Sequence, residues 1–146
     1  MNIIKATIDH LDDLAPLFDG YRMFYRQTSD LEAAKTFLKE RIANNESVVY
    51  IAYIDNKPVG FTQLFPLFSS VSIQPMYLLN DLFVDSSIRG KGVGQGLIQA
   101  AKDLCIEKGN KGLAIQTENH NPAQHLYERV GFVKDPDLHL FWTNNQ

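Results

Sequence analysis

Arg89, Gly90, Lys91, Gly92, Val93, Gly94, Gln95 and Gly96 are the residues whose types and spacing most plainly serve chemistry. Glycine at every second position suits neither a strand nor a helix interior, where each costs up to ~1 kcal/mol relative to alanine. What it permits is close approach of backbone N–H groups to a ligand. The run opens into a helix, whose first N–H groups and positive dipole end attract phosphate. Arg89 and Lys91 add cationic donors. The plain alternative is a flexible loop that caps a helix. Neither common phosphate motif is met: no glycine is followed, four residues on, by Gly-Lys-Ser/Thr, and the third glycine of a dinucleotide fingerprint would fall on Gln95 or Leu97.

The elements that must position this run follow from local pattern. Residues 2–8 are β-rich and lead to Asp9, a capping candidate for a helix with Leu11, Leu14, Leu17 and Phe18 on one stripe. Ser29 and Glu32 have capping-box spacing and open a second helix to about Asn44. Residues 47–54 and 59–64 read as a hairpin around Asp55, Asn56, Lys57 and Pro58. A loop over 66–74 precedes a strand at 76–84, and the glycine run then feeds a helix ended by Gly109. Residues 113–117 read as a strand. Asn121 as cap and Pro122 as first residue begin another helix, and 132–134 with 138–142 read as a closing pair of strands. Hairpin strands mixed with strand–helix–strand units predict an α+β fold with a mixed sheet of about six to seven strands and about four helices.

The 146 residues form one expected domain, 1–146, with no linker or repeat. Hydrophobic residues make up 45% and charged residues 21%, which excludes a disordered chain. A net charge of −3 argues against a coat for nucleic acid. No apolar run approaches the ~20 residues that cross a bilayer, and the N-terminus lacks a signal-peptide layout. With a single cysteine, Cys105, the expectation is a cytoplasmic protein with no membrane and no nucleic-acid partner. Cys105 lies on an apolar helix stripe and reads as core. His120 and His125 lack the i, i+4 spacing of a helical metal pair, so no metal is expected.

Three segments together carry a resemblance. Arg89, Gly92 and Gly94 fit the pattern Gln/Arg-x-x-Gly-x-Gly/Ala, residues 79–85 (LNDLFVD) precede it, and residues 121–132 (NPAQHLYERVGF) follow. In this order they resemble the GNAT family of N-acetyltransferases, with the nearest likeness to small microbial enzymes that acetylate histone tails, polyamines or other small amines. The likeness covers most of the chain and weakens over residues 10–45. It implies acetyl-CoA as acyl donor and direct transfer to a primary amine of a small molecule or peptide. A CoA-binding module without catalysis, or a protein or aminoacyl-tRNA acetyltransferase, are its rivals.

The resemblance also implies roles. The backbone of Arg89, Gly90, Lys91, Gly92, Val93, Gly94 and Gln95 would hold the diphosphate, and that of Leu82, Phe83 and Val84 the pantetheine, with an N–H near Val84 polarising the thioester carbonyl. Asn121 would touch the cofactor, though it is also an ordinary helix cap. Tyr127 would be the general acid; by spacing alone it reads as a core aromatic. Its phenol, with pKa ~10, needs favourable geometry to protonate a thiolate of pKa ~8.5. Some relatives place a glutamate base where this chain has Asn80, which cannot take a proton. The base is then Asp81, placed on the opposite face by a regular strand and brought round only by a bulge, or a water chain acting on a neutral amine. Tyr21, Tyr25, Phe65 and Asn80 are the expected acceptor wall, with Phe68 nearby; core packing explains the aromatics equally well. Homodimers are common in the family, and residues 138–142 are a candidate surface for one.

Overall fold

The computed structural model describes residues 1–146. Met1–Gln116 form one compact unit and Thr117–Gln146 a second.

The first unit runs β1 (Asn2–Lys5), a 3-10 turn (Ile8–His10), α1 (Leu11–Phe24), α2 (Leu31–Ala43), β2 (Val48–Ile54), β3 (Lys57–Ser69), β4 (Gln74–Val84), a second 3-10 turn (Ser86–Ile88), α3 (Val93–Glu107) and β5 (Leu113–Ile115). The strands form one sheet in the order β1-β2-β3-β4-β5. All neighbours are antiparallel except β4 and β5, which α3 connects as a parallel crossover. One sheet face takes α1 and α2: Leu14, Leu17, Phe18, Ala34 and Leu38 pack over Val49, Ile51 and Phe61. The other takes α3, with Val93 and Leu97 against Ala52 and Val59. Burying both faces lets so small a sheet hold its shape.

The sheet has five strands, not six to seven. The expected strands at 132–134 and 138–142 are absent, and Val133, Leu138, Leu140, Phe141 and Trp142 remain 78–90% exposed. Alternating apolar residues confer β propensity, but a strand also needs a neighbour for its backbone groups. The hairpin of β3 and β4 extends further than its local pattern implies and absorbs most of the expected 66–74 loop. Pro66 fits there because the β2–β3 ladder ends at Val48↔Leu64, leaving an edge where a missing N–H is tolerated.

Two caps also differ from expectation. Thr7, not Asp9, caps the first turn, its hydroxyl accepting from the Asp9 N–H at 3.2 Å. Asp30, not Ser29, caps α2, because Ser29 Oγ donates to Asp19 Oδ2 at 2.6 Å. The second unit holds α4 (Ala123–Arg129), giving four helices in all. None is long and apolar enough to cross a membrane.

Candidate active site

A bulge in β4 shapes the candidate site. Gln63 pairs with Asp81, but the next residue of β3, Leu64, pairs with Leu79, so Asn80 is extra. Cross-strand partners share a sheet face, so Leu79 lies on the opposite face from Asp81. A regular strand would separate Asn80 and Asp81; here both line one cavity of about 370 Å³ between the sheet and α1–α2. The bulge left open by the sequence is the arrangement that forms.

Asp81 is the acid of this cavity and is 2% exposed. Gln63 Nε2 donates to Oδ2 at 2.7 Å and Asn80 Nδ2 donates to Oδ1. Ser47 Oγ donates to Gln63 Oε1 at 2.8 Å, which fixes the way the amide faces. Burial pushes the Asp81 carboxyl up to about 6, against the two amide hydrogen bonds, which pull it down. A carboxyl tuned there is ionised at neutral pH, yet basic enough to take a proton. Asn80 itself is no base: it steadies Asp81, and its carbonyl accepts from Tyr21 OH at 3.1 Å.

Tyr21 and Phe65 line the same cavity. Tyr25 does not; it packs edge-on against Tyr21 with centroids 5.2 Å apart. Phe68 sits on the hairpin and is 82% exposed. Four lining residues are not among those the sequence marks for the site: Phe18, Phe37, Gln63 and Arg22. A glutamine inside an apolar strand was the one available hint. Arg22 Nη1 is buried and has no hydrogen-bond partner.

Leu82 and Val84 pack towards α3 and Phe83 towards α1, so their side chains belong to the two cores. Their backbone is the notable part. The β4–β5 ladder stops at Leu79↔Ile115, so β4 runs from Asn80 to Val84 with β3 on one edge and no strand on the other. Beyond Val84, Asp85 caps a short turn that delivers Arg89 to the glycine run. Gly90 and Gly92 take φ of +84° and +78°, which suits glycine, and a Cβ on either would meet nothing within 4 Å. The helix begins earlier than the glycine spacing implied, at Val93, so Gly94 and Gln95 lie in its first turn. Gly96 N–H makes a bond to Gly92 C=O at 3.0 Å, which leaves the N–H groups of Val93, Gly94 and Gln95 without a helical acceptor. Open space before three aligned donors, with exposed Arg89 and Lys91 alongside, fits a diphosphate. Gly96 serves packing instead: a Cβ there would lie 2.9 Å from Ile3 Cδ1.

In the second unit, Asn121 Oδ1 accepts from Ala123 N–H at 3.0 Å and so starts α4. Tyr127 is buried on that helix, edge-on to Phe132 at 6.1 Å. Cys105 is buried in α3 and its thiol is pushed up by burial. No group of three or more His, Cys, Asp or Glu side chains converges to hold a metal.

A mixed sheet whose parallel pairing stops at Leu79↔Ile115, with a glycine-bounded helix entrance after β4, fits an acyl-CoA-dependent acetyltransferase framework. The profile of the acetyltransferase (GNAT) family matches residues 11–132, and the chain belongs to that family. It is an N-acetyltransferase with acetyl-CoA as cosubstrate and an amine as acceptor. An uncharacterised N-acetyltransferase of Bacillus subtilis is 51% identical over 136 residues, covering 92% of this chain and 91% of that one. A probable acetyltransferase of Haemophilus influenzae is 34% identical, covering 97% and 96%. The crystal structure of a probable acetyltransferase superposes with a TM-score of 0.92 at 38% identity, over 100% of this chain and 99% of that one.

Proposed function

We propose that the protein acetylates a primary amine of a small molecule or peptide by direct attack on the thioester, with Asp81 as the base. The amine nitrogen bonds to the acetyl carbon, the carbon–sulfur bond breaks, and the ammonium proton passes to the Asp81 carboxylate. One observation carries this reading: a buried carboxyl, pushed up to about 6, lines a cavity with aromatic walls. The Asn80 departure from the family's glutamate then leaves catalysis intact, because the bulge supplies the neighbouring acid.

Acetyl-CoA brings the activated acyl group and its thiol leaving group. The N–H groups of Val93, Gly94 and Gln95, with Arg89 and Lys91, are the proposed hold on its diphosphate. The open backbone edge at Leu82, Phe83 and Val84 is proposed to pair with the pantetheine amides, and an N–H near Val84 to stabilise negative charge on the carbonyl oxygen. Tyr127 is proposed as the acid that protonates the departing thiolate, and Asn121 as a cofactor contact, both from their places in the family motif. Self-association through the exposed apolar tail at 138–142 belongs to the same proposal.

The test is release of free CoA from acetyl-CoA with a panel of amines at pH 8. Amine-dependent release, weakened by Asp81→Asn, supports the reading. Saturable acetyl-CoA binding with no release for any amine overturns it in favour of a binding module.

A further inference from the structure

The cavity at Asp81 contains a guanidinium nitrogen that the proposed acetyl transfer leaves unused. Arg22 extends from α1 to line it, and its Nη1 is buried without a hydrogen-bond partner. A guanidinium nitrogen out of water and without an acceptor is costly, and folded proteins seldom leave one so. Asp19 is near enough to feel the Arg22 charge, but its oxygens accept from Ser29 Oγ at 2.6 Å and the Asp30 N–H at 2.8 Å. The phosphates of the acyl donor are not the missing partner either. Arg89 of their proposed cradle lines a separate cavity, with Gly20 and Phe24 of α1, while Arg22 lines the one at Asp81. The anion that completes Arg22 therefore belongs to the acceptor.

The remaining walls describe the rest of that molecule. Phe18 and Phe37 stack with centroids 5.7 Å apart, and Tyr21 and Phe65 close further sides. A volume of about 370 Å³ lies near the lower end of the roughly 300–1,000 Å³ typical of small-ligand sites. The cavity thus offers a proton acceptor for an amine, a cationic donor for an anion and an apolar wall between elements of a small body.

We propose that the acceptor is a small amino acid with a free carboxylate and an apolar or aromatic side chain, its carboxylate paired with Arg22 and its amine presented to Asp81. This rests on the acetyltransferase reading above and adds the acceptor's chemical class to it. A planar, permanently charged guanidinium is suited to carboxylate, and the same charge repels polyamines and aminoglycosides, which carry several positive groups. Specificity then comes from a donor left unpaired by the wrong substrate as much as from contacts to the right one.

The experiment compares matched pairs under saturating acetyl-CoA: phenylalanine against phenethylamine, leucine against isoamylamine, with phenylalaninamide, a phenylalanine-terminated dipeptide and spermidine alongside. The expected result is a kcat/KM at least tenfold higher for each amino acid than for its decarboxylated partner and for spermidine. In Arg22→Gln that ratio falls towards one, while Arg22→Lys retains part of it. A ratio is read within one protein, so a general loss of stability does not imitate the effect. Equal or better turnover of the decarboxylated amines, of spermidine or of the dipeptide in the wild type overturns the inference and leaves the acetyltransferase reading standing. An Arg22→Gln protein with an undiminished ratio also overturns it. Bound acetyl-CoA with no amine acetylated at all overturns both.

Discussion

Gln63 Nε2 donates to Asp81 Oδ2 across 2.7 Å, from the strand beside the one that carries the acid. Gln63 and Asp81 are register partners, and the bulge immediately follows that pair. The hydrogen bond therefore both steadies the carboxylate and lies at the site of the switch in sheet face. Two amides and one hydroxyl, from Gln63, Asn80 and Ser47, form a short polar chain around a single charge. Such a chain keeps the acid ionisable where burial alone would hold it protonated.

If the Asp81 carboxylate takes the proton, kcat/KM falls about tenfold per pH unit below about 6, since only the ionised form works. Asp81→Asn should lower kcat/KM by roughly 10²–10⁴ at pH 8 and remove that acidic limb. Steady-state CoA release from pH 5 to 9 measures both. A profile in Asp81→Asn identical to the wild type would return the base role to water.

Gln63→Leu takes away one of the two donors that pull the Asp81 carboxyl down. Its acidic limb should move to higher pH, with a smaller loss of rate at pH 9 than at pH 7. The same titration series checks it.

Asp81 also sets a pH dependence of stability. Its folded pKa, about 6, lies above the unfolded value of 3.8, so the native state holds a proton that the unfolded chain releases. The contribution is therefore destabilising above both values and vanishes below both: stability falls as pH rises through the window from about 4 to 6. A shift of that size corresponds to about 3 kcal/mol. Asp12, Asp19 and Asp85 have lowered values and act oppositely, losing stability only as pH falls below the ordinary carboxylate range. Urea unfolding at pH 5, 6 and 7.5 should show the wild type losing stability between the first and last, and Asp81→Leu losing little.

Gly92→Val places a side chain at φ +78°, where strain costs roughly 1–2 kcal/mol, and into space with no protein atom within 4 Å of the Cβ. The fold should survive with a melting point a few degrees lower. Acetyl-CoA affinity should fall more than tenfold by calorimetry, because the side chain stands before the amides proposed to take the diphosphate.

Tyr127→Phe keeps the ring packed edge-on to Phe132 and removes only the hydroxyl. Proton delivery to the thiolate predicts a fall of about 10²-fold or more in kcat with little change in acetyl-CoA affinity. Unchanged kcat would leave Tyr127 as a core aromatic.

Much of this protein was legible one residue at a time. The glycine run, the helices with their apolar stripes and the hairpin strands follow from spacing and side-chain type, because backbone freedom and hydrophobic periodicity are local properties. Ser29 shows where that stops: it has the spacing of a cap, yet Asp19, ten residues earlier, takes its hydroxyl and Asp30 caps instead. The tail at 132–142 has strand-like alternation without the neighbour that a strand requires. Asp81 is the deepest case. Whether it faced the cavity with Asn80 depended on one extra residue in β4, which is decided by how β4 aligns with β3 and not by any residue of β4 alone. The basicity of its carboxyl, and the unpaired nitrogen of Arg22, come from burial among four distant segments. Chain chemistry thus named candidate groups, while long-range packing determined which of them share a cavity.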